Sequence, residues 1–173
     1  MRIIIVGKNR SGKSTVAKKF IQKTSWPTVE VSDIVKRISG QKTREALQTE
    51  KQKHTDDPDW LYREISKEIL AKQSDNVIVS GVREQHLITR MKQDGFEVKV
   101  VGVLITDAER RRRTVELDKK SEEEFDKDEL RDKTLFDLDR LLEMSDYQVS
   151  TEKSFEEMEA EVEQVLKHLG IQN

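Results

Sequence analysis

The chain has 173 residues, a formal net charge of -2 and 38% charged residues. This length predicts one domain with a sizeable core. The apolar runs are too short for a membrane span or a signal peptide, and the absence of cysteine excludes disulfides, thiolate metal sites and cysteine nucleophiles. The balanced charge argues against nucleic acid as the main partner. We therefore expect a cytoplasmic protein with no membrane or nucleic-acid partner.

The strongest pattern, RIIIVGKNRSGKST, lies at residues 2 to 15. Its β-branched run predicts a buried parallel strand, and the GxxxxGK[ST] pattern follows it directly, before a helical pattern. Gly7 and Gly12 permit a tight turn whose N–H groups converge on phosphate oxygens at the positive end of a helix. The alternative is a glycine turn with a surface lysine. A chance match to four constrained positions is on the order of 1% in a chain of this length, so we predict a phosphate-binding loop.

The expected ligands of this loop are ATP and Mg2+. Lys13 is predicted to contact the β- and γ-phosphates, and the Ser14 hydroxyl to bind the magnesium ion. The other nucleotide-binding residues predicted here are Gly7, Lys8, Asn9, Arg10, Ser11, Gly12 and Thr15.

Further along the chain, apolar runs alternate with helical patterns. The predicted strands are 2–6, 28–32, 76–80, 97–105 and 146–150. Apolar residues three or four apart mark the helices: Val16, Ala17, Phe20 and Ile21; Leu61, Ile65 and Ile69; Leu87, Ile88 and Met91; and Phe155, Met158, Val162, Val165, Leu166 and Leu169. Ser154 and Glu157 predict a capping box at the start of the last helix.

This alternation predicts an α/β protein. We expect five mostly parallel strands with helices on both faces, and ligands at the carboxyl ends of the strands. Two polar segments, 39–59 and 106–134, fit the alternation poorly. They are either solvated helix and loop or mobile covers that exclude water from the site. We predict a single domain over 1–173, with an acceptor-binding insert at about 33–60 and a lid at about 106–134.

The order of these features resembles the nucleoside monophosphate kinase superfamily. It is most similar to the bacteriophage deoxynucleoside monophosphate kinases and to dephospho-CoA-kinase-like proteins. The quoted stretches are VEVSDIVKR, VIVSGVREQ, VVGVLITDAERRRR and SDYQVSTEKS. In that family a second strand ends in an acidic residue, here Asp33, and a third strand ends in a turn matched by Gly81 and Arg83. A fourth strand leads into an arginine-bearing lid helix, and the last strand passes the donor base. The resemblance therefore implies the three-layer P-loop NTPase fold with a small helical lid.

The resemblance implies roles for the arginines, whose planar guanidinium groups match phosphate oxygens. Arg83 would bind the acceptor phosphate. Arg110 and Arg113, three apart on one helical face, would stabilise the transferring phosphoryl group. Their neighbours Arg111 and Arg112 would be solvated or paired with the acidic run 121–129. Arg131 is either a further lid arginine or part of an ordinary salt bridge.

Residues 33–60 supply further candidates. Asp33 would orient the attacking group of the acceptor or hold magnesium through water, and it also has the chemistry of a helix N-cap. Lys36 and Arg37 would meet the acceptor phosphate. Trp60 would either stack on a base or belong to the core.

Two departures from the family pattern concern the donor side. Many relatives place an aspartate at the end of the third strand, where this chain has Ser80. Magnesium would then depend on Ser14, the phosphates and water, with Asp33 as a further candidate. Thr151 stands nearest the place of a family asparagine that is missing here, which leaves the preferred donor base open.

The function expected from these features is ATP-dependent phosphoryl transfer to a nucleoside or deoxynucleoside monophosphate, by a monomer or homodimer. Another small-molecule kinase on the same scaffold, such as a dephospho-CoA kinase, is the second interpretation. A nucleotide-dependent switch or binding protein is the third, although the chain has no NKxD-like guanine motif.

Overall fold

The strands form the single parallel sheet that the sequence predicts. A computed structural model describes residues 1–40, 45–136 and 138–171, and every side chain in these ranges except those of 45–48 and 131. The strands are β1 (Arg2–Val6), β2 (Thr28–Glu30), β3 (Val77–Ser80), β4 (Val98–Leu104) and β5 (Tyr147–Ser150). Their order is β2-β3-β1-β4-β5, and every pairing is parallel. The predicted α/β fold is therefore confirmed.

The described helices connect these strands. They are α1 (Lys13–Thr24), α2 (Val31–Ser39), α3 (Glu45–Lys53), α4 (Trp60–Ala71), α5 (Gln85–Gln93), α6 (Asp107–Arg112), a π-helical turn (Arg113–Leu117), α7 (Glu122–Leu135), α8 (Leu138–Glu143) and α9 (Phe155–His168). Below, "the lid" denotes residues 106–134, which contain α6, the π-helical turn and most of α7. None of the described helices is long and apolar enough to cross a membrane.

The alternation of side chains along β1 divides the core into two layers. Ile3 and Ile5 pack with apolar residues of α1 and α9, whereas Ile4 and Val6 pack with those of α2, α4, α5 and α8. The apolar faces predicted for α4 and α5 are buried, and α9 begins with the predicted capping box. Phe155 is the exception because its ring is half exposed, with the Lys19 ammonium 4.2 Å from the ring centroid.

β2 is shorter than predicted. It ends at Glu30, and α2 begins at Val31, where the sequence analysis expected the strand to continue through residue 32. Helix geometry starts there because Val31 and Ile34, three apart, both pack into the core. The N-cap assigned to Asp33 is therefore wrong, since Asp33 lies inside the first turn and Glu30 is the N-cap residue.

Candidate active site

The phosphate-binding loop joins β1 to α1 at the carboxyl edge of the sheet. A Cβ on Gly7 would lie 2.6 Å from Ser11 Oγ and 3.0 Å from the carbonyl oxygen of Val103, so only glycine fits there. Gly12 has φ 84°, and a side chain on it would meet Thr151. The first turn of α1 contains no acidic residue, which leaves the positive end of the helix free to attract phosphate.

The side chains of Lys8 and Arg10 leave the loop in other directions. Lys8 pairs with Asp139 at 2.7 Å and lines a cleft of about 410 Å³ at the ends of β4 and β5. Arg10 has φ 61° and pairs with Asp118, at the end of the π-helical turn. Because both side chains are engaged, these residues offer phosphate their backbone amides. Of the predicted hydroxyls, Ser14 and Thr15 are exposed at the start of α1.

Lys13 is the central cation of the site. Its ammonium donates a hydrogen bond to the carbonyl oxygen of Lys8 at 2.6 Å. Desolvation, together with the positive charges of Arg83 and Arg110, lowers the pKa of Lys13 to about 7, although the negative charges of Asp132 and Glu30 act in the opposite direction. Three cations from the loop, the end of β3 and the lid are thus brought within electrostatic reach of one another.

Arg110 ties the lid to the phosphate loop and is fully buried. Its Nε donates to the carbonyl oxygen of Asn9 at 2.8 Å, and its Nη1 donates to Asp107 at 2.7 Å. Both of its terminal nitrogens also contact the carboxylate of Glu129 on α7. This bidentate geometry holds α6, α7 and the loop in one arrangement.

Arg113 is the first residue of the π-helical turn and has a different partner. Its Nη2 donates to the carbonyl oxygen of Thr151 at 2.5 Å, and its Nη1 lies 3.3 Å from the Thr151 hydroxyl. That hydroxyl donates to the carbonyl oxygen of Ser11 at 2.7 Å. Arg113, Thr151 and the loop therefore form one chain of contacts beside the turn where the donor base was expected.

Arg111 pairs with the acidic run as predicted, through Glu122 and Asp126 on α7. The side chain of Arg112 is half exposed, and its partners lie outside the acidic run. Arg112 pairs with Glu109 and Glu116 on its own helical segment, and Arg112 and Arg113 together hold the pKa of Glu109 down to about 2.

Arg83 follows the Gly81 turn at the end of β3. Its Nη1 donates to Asp132 of α7 at 2.8 Å, and its guanidinium lies 5.3 Å from the centroid of the Phe136 ring. The Lys51 ammonium lies 4.8 Å from the same ring centroid. Lys51 comes from the polar segment 39–59, whose sequence contains no pattern that singles it out.

The acidic residue that ends β2 is Glu30 and not Asp33, which was expected at this place. Glu30 forms a hydrogen bond with Ser80, which ends the neighbouring β3. Desolvation raises the pKa of Glu30, and the nearby charge of Lys13 partly offsets this. Asp33 instead points to solvent and pairs with Lys36 at 3.1 Å.

Arg37, Trp60 and Arg131 were further candidates for substrate binding. Arg37 is exposed and pairs with Glu68. Trp60 belongs to the core, with 6% of its surface exposed and the His54 ring stacked on it at 4.7 Å. The side chain of Arg131 lies outside the described part of the chain.

The oxygen donors at this edge fit a magnesium ion delivered with ATP. Among the described residues, no group of three or more His, Cys, Asp or Glu side chains is arranged to hold a metal. The Ser14 hydroxyl and the Glu30 carboxylate are hard oxygen ligands, and Mg2+ usually completes its shell with water and substrate phosphates.

This sheet order, with a phosphate loop after its central strand, is the fold of the P-loop kinases. No protein-family model and no curated protein matches the sequence. Among solved structures, the chain is similar to shikimate kinase from Bacteroides thetaiotaomicron, with TM-score 0.65 and 17% identity over 98% of both chains. Shikimate kinase from Aquifex aeolicus gives 0.60 and 21% over all of both chains. A gluconokinase from Sinorhizobium meliloti gives 0.62 and 17%, over 99% of this chain and 97% of that one. The structural similarity establishes the fold, and at these identities it does not show which acceptor this chain uses.

Proposed function

We propose that this protein is an ATP-dependent kinase that transfers the γ-phosphoryl group to a small anionic acceptor. The first candidate acceptor is a nucleoside or deoxynucleoside monophosphate, which would give the diphosphate and ADP. The observation that carries the proposal is the convergence of Lys13, Arg83 and Arg110 at the carboxyl edge of the sheet. Cations from three separate elements are needed where two anionic substrates are pressed together.

Each cation has a distinct part in the proposed reaction. Lys13 neutralises charge on the β- and γ-phosphates, and the negative phosphates restore the protonated form of its ammonium. Arg110 holds the lid on the loop and excludes water from the transfer. Arg83 orients the acceptor anion for in-line attack.

The proposed metal is the Mg2+ ion of the ATP complex. Bound there, it would draw charge from the β- and γ-phosphoryl oxygens. Ser14 would supply a hydroxyl ligand, and Glu30 would act through water from the end of β2.

A phosphate-bearing acceptor is favoured by the guanidinium of Arg83, which presents two parallel donors to phosphate oxygens. A small hydroxy acid is the second candidate. It is supported by the names of the similar structures, which are kinases of shikimate and gluconate. Both acceptor classes carry an anion and a hydroxyl or phosphoryl oxygen that can attack the γ-phosphorus.

The test is a phosphoryl-transfer screen with ATP and magnesium. The acceptors are all ribo- and deoxyribonucleoside monophosphates, dephospho-CoA, shikimate and gluconate, with ADP and the phosphorylated acceptor both quantified. We expect ATP consumption to be slow alone and to rise about a hundredfold or more with the right acceptor, because lid closure without it would waste ATP on water.

The same screen contains the result that would overturn the kinase proposal. A nucleotide-dependent switch would bind ATP and hydrolyse it at one rate, whatever acceptor is present. If that occurs while calorimetry shows bound nucleotide, the protein is a binding module and not a kinase.

A further inference from the structure

One carboxylate of the lid already sits where the proposed acceptor anion would bind. Asp132 is 5% exposed and lies in the last turn of α7. Its Oδ1 accepts a hydrogen bond from Nη1 of Arg83 at 2.8 Å. The negative charge of Asp132 also acts on Lys13, so the carboxylate lies within electrostatic reach of cations on both substrate sides. These are the contacts that an anionic substrate group needs.

We propose that Asp132 is a built-in competitor for the acceptor anion, which sets the affinity of the Arg83 site. In the ligand-free protein, Asp132 is hydrogen-bonded to the guanidinium of Arg83, and an incoming anion must displace it. The inference rests on the proposed function only in taking Arg83 as an acceptor ligand.

The anchoring of α7 permits this exchange without loss of the lid. Glu129, three residues before Asp132 and on the same side of the helix, is clamped by the buried Arg110. Asp132 pairs with a guanidinium whose side chain keeps 23% of its surface exposed. The last turn of α7 can therefore release Arg83 while the preceding turn remains attached to α6 and the loop.

Competition between Asp132 and a ligand anion for Arg83 predicts a specific pattern of affinities. Every anion that needs Arg83 loses affinity by the same factor, which is the inverse of the fraction of molecules with Asp132 displaced. Repulsion from a nearby but separate carboxylate would instead affect a dianion about twice as strongly as a monoanion, on a logarithmic scale. The two roles are thus distinguishable by ligand charge.

The experiment measures binding of inorganic phosphate and acetate to the nucleotide-free protein at pH 8 and constant ionic strength. We expect Asp132→Asn to tighten both anions by the same factor, about tenfold if the competent state is about a tenth populated. Asp126→Asn is the matched control, because it removes the same charge from the same helix at a residue paired with Arg111. That variant should change either affinity by less than about twofold.

Three results would overturn the proposal: no change in Asp132→Asn, weaker binding, or a logarithmic gain for phosphate twice that for acetate. Weaker binding would identify Asp132 as a residue that positions Arg83. Should the variant unfold, amide hydrogen exchange of the wild-type protein decides the question. Saturating phosphate should speed exchange in residues 132–135, and slower or unchanged exchange there contradicts the displacement.

Neither measurement uses ATP or transfer. A protein without kinase activity can still pass this test, which would refute the proposed function alone. A protein that proves to be a kinase can fail it, which would refute only the role of Asp132.

Discussion

The phosphate loop and the lid both present cations, but they hold them in opposite ways. Lys13 donates to a backbone carbonyl oxygen, and desolvation lowers its pKa to about 7. The lid arginines 110 to 113 all contact carboxylates. We therefore expect a bound phosphate to stabilise the ammonium of Lys13, whereas the four lid arginines are already paired in the folded structure. This difference predicts that Lys13 responds to substrate and that the lid arginines hold the lid together.

Within the lid, the π-helical turn divides the arginines further. Arg110 and Arg113 are three apart and were expected to share one face and one task. In the structure Arg110 contacts Asn9 of the loop, and Arg113 contacts Thr151 beyond β5. A π-helical turn changes the angle between successive side chains, and such turns are frequent at functional sites. Replacing Arg110 and replacing Arg113 should therefore impair different properties of the protein.

The largest effect should come from the loop. Lys13→Ala should abolish transfer and leave the fold intact, because it removes a preorganised cation worth about 3 kcal/mol or more of transition-state stabilisation. Steady-state kinetics and thermal unfolding of the variant test this. Lys18→Ala, at an exposed position of the same helix, is the control and should behave as wild type. Activity of Lys13→Ala within threefold of wild type would contradict the phosphate-loop assignment.

The next effect concerns lid stability. Arg110→Ala should destabilise the protein by about 3 kcal/mol, because it strands Glu129, whose side chain is 15% exposed, without its partner. Denaturant unfolding measures the loss. Arg111→Ala removes the same charge from the same helix at a more exposed position and should leave the unfolding midpoint nearly unchanged. Equal losses of stability in both variants would mean that the buried Arg110–Glu129 pair contributes no more to folding than the exposed pairs of Arg111.

A smaller effect should follow from Arg113→Ala. It removes the contacts to Thr151, and losing hydrogen bonds of this kind costs about 1 to 2 kcal/mol, or roughly tenfold in kcat/KM for ATP. The KM for the acceptor should stay unchanged, since Arg113 contacts Thr151, on the proposed donor side of the site. Arg112→Ala, which loses only pairs inside the lid, should remain within about twofold of wild type. A changed acceptor KM in Arg113→Ala would place this arginine on the other substrate.

The smallest expected effect is the uptake of a proton when ATP binds. Because the pKa of Lys13 is about 7 in the ligand-free protein, its amine is mostly neutral at pH 8. ATP favours the ammonium form, so binding at pH 8 should take up close to one proton, and ATP affinity should fall as the pH rises above 7. Calorimetry in two buffers of different ionisation enthalpy measures the uptake. Lys13→Met should bind ATP with no such uptake, and an uptake equal to wild type would assign the proton to another group.

Local patterns in the sequence were sufficient for the fold and for the conformation of the glycine-rich loop. The run Ile3 to Val6, the glycines at 7 and 12 and the capping box at Ser154 each act within a few residues, so their structure follows from neighbours in the chain. The pairing of Arg112 with Glu109 and Glu116 follows for a similar reason, since these partners lie three and four residues away along the chain.

The sequence also contained a signal for Glu30 that our strand prediction overlooked. The helical spacing of Val31, Ile34, Val35 and Ile38 starts at residue 31, which places Glu30 at the end of β2. If residues 31–38 are interpreted as a helix and not as the continuation of a strand, the acidic residue at the end of β2 is Glu30 and not Asp33.

Only the tertiary structure decided which distant charges meet. Arg83 and Asp132 are 49 positions apart, and Arg110 and the carbonyl oxygen of Asn9 are 101 apart. α7 has a weak apolar pattern, so its sequence does not say which of its many carboxylates turns inward. That choice depends on the packing of the lid against the loop and the end of β3. The sequence alone therefore determined the strand, the glycine-rich turn and the helix that form the predicted phosphate loop. Long-range packing determined which charged residues surround that loop, because electrostatic partners are selected by distance in space and not along the chain.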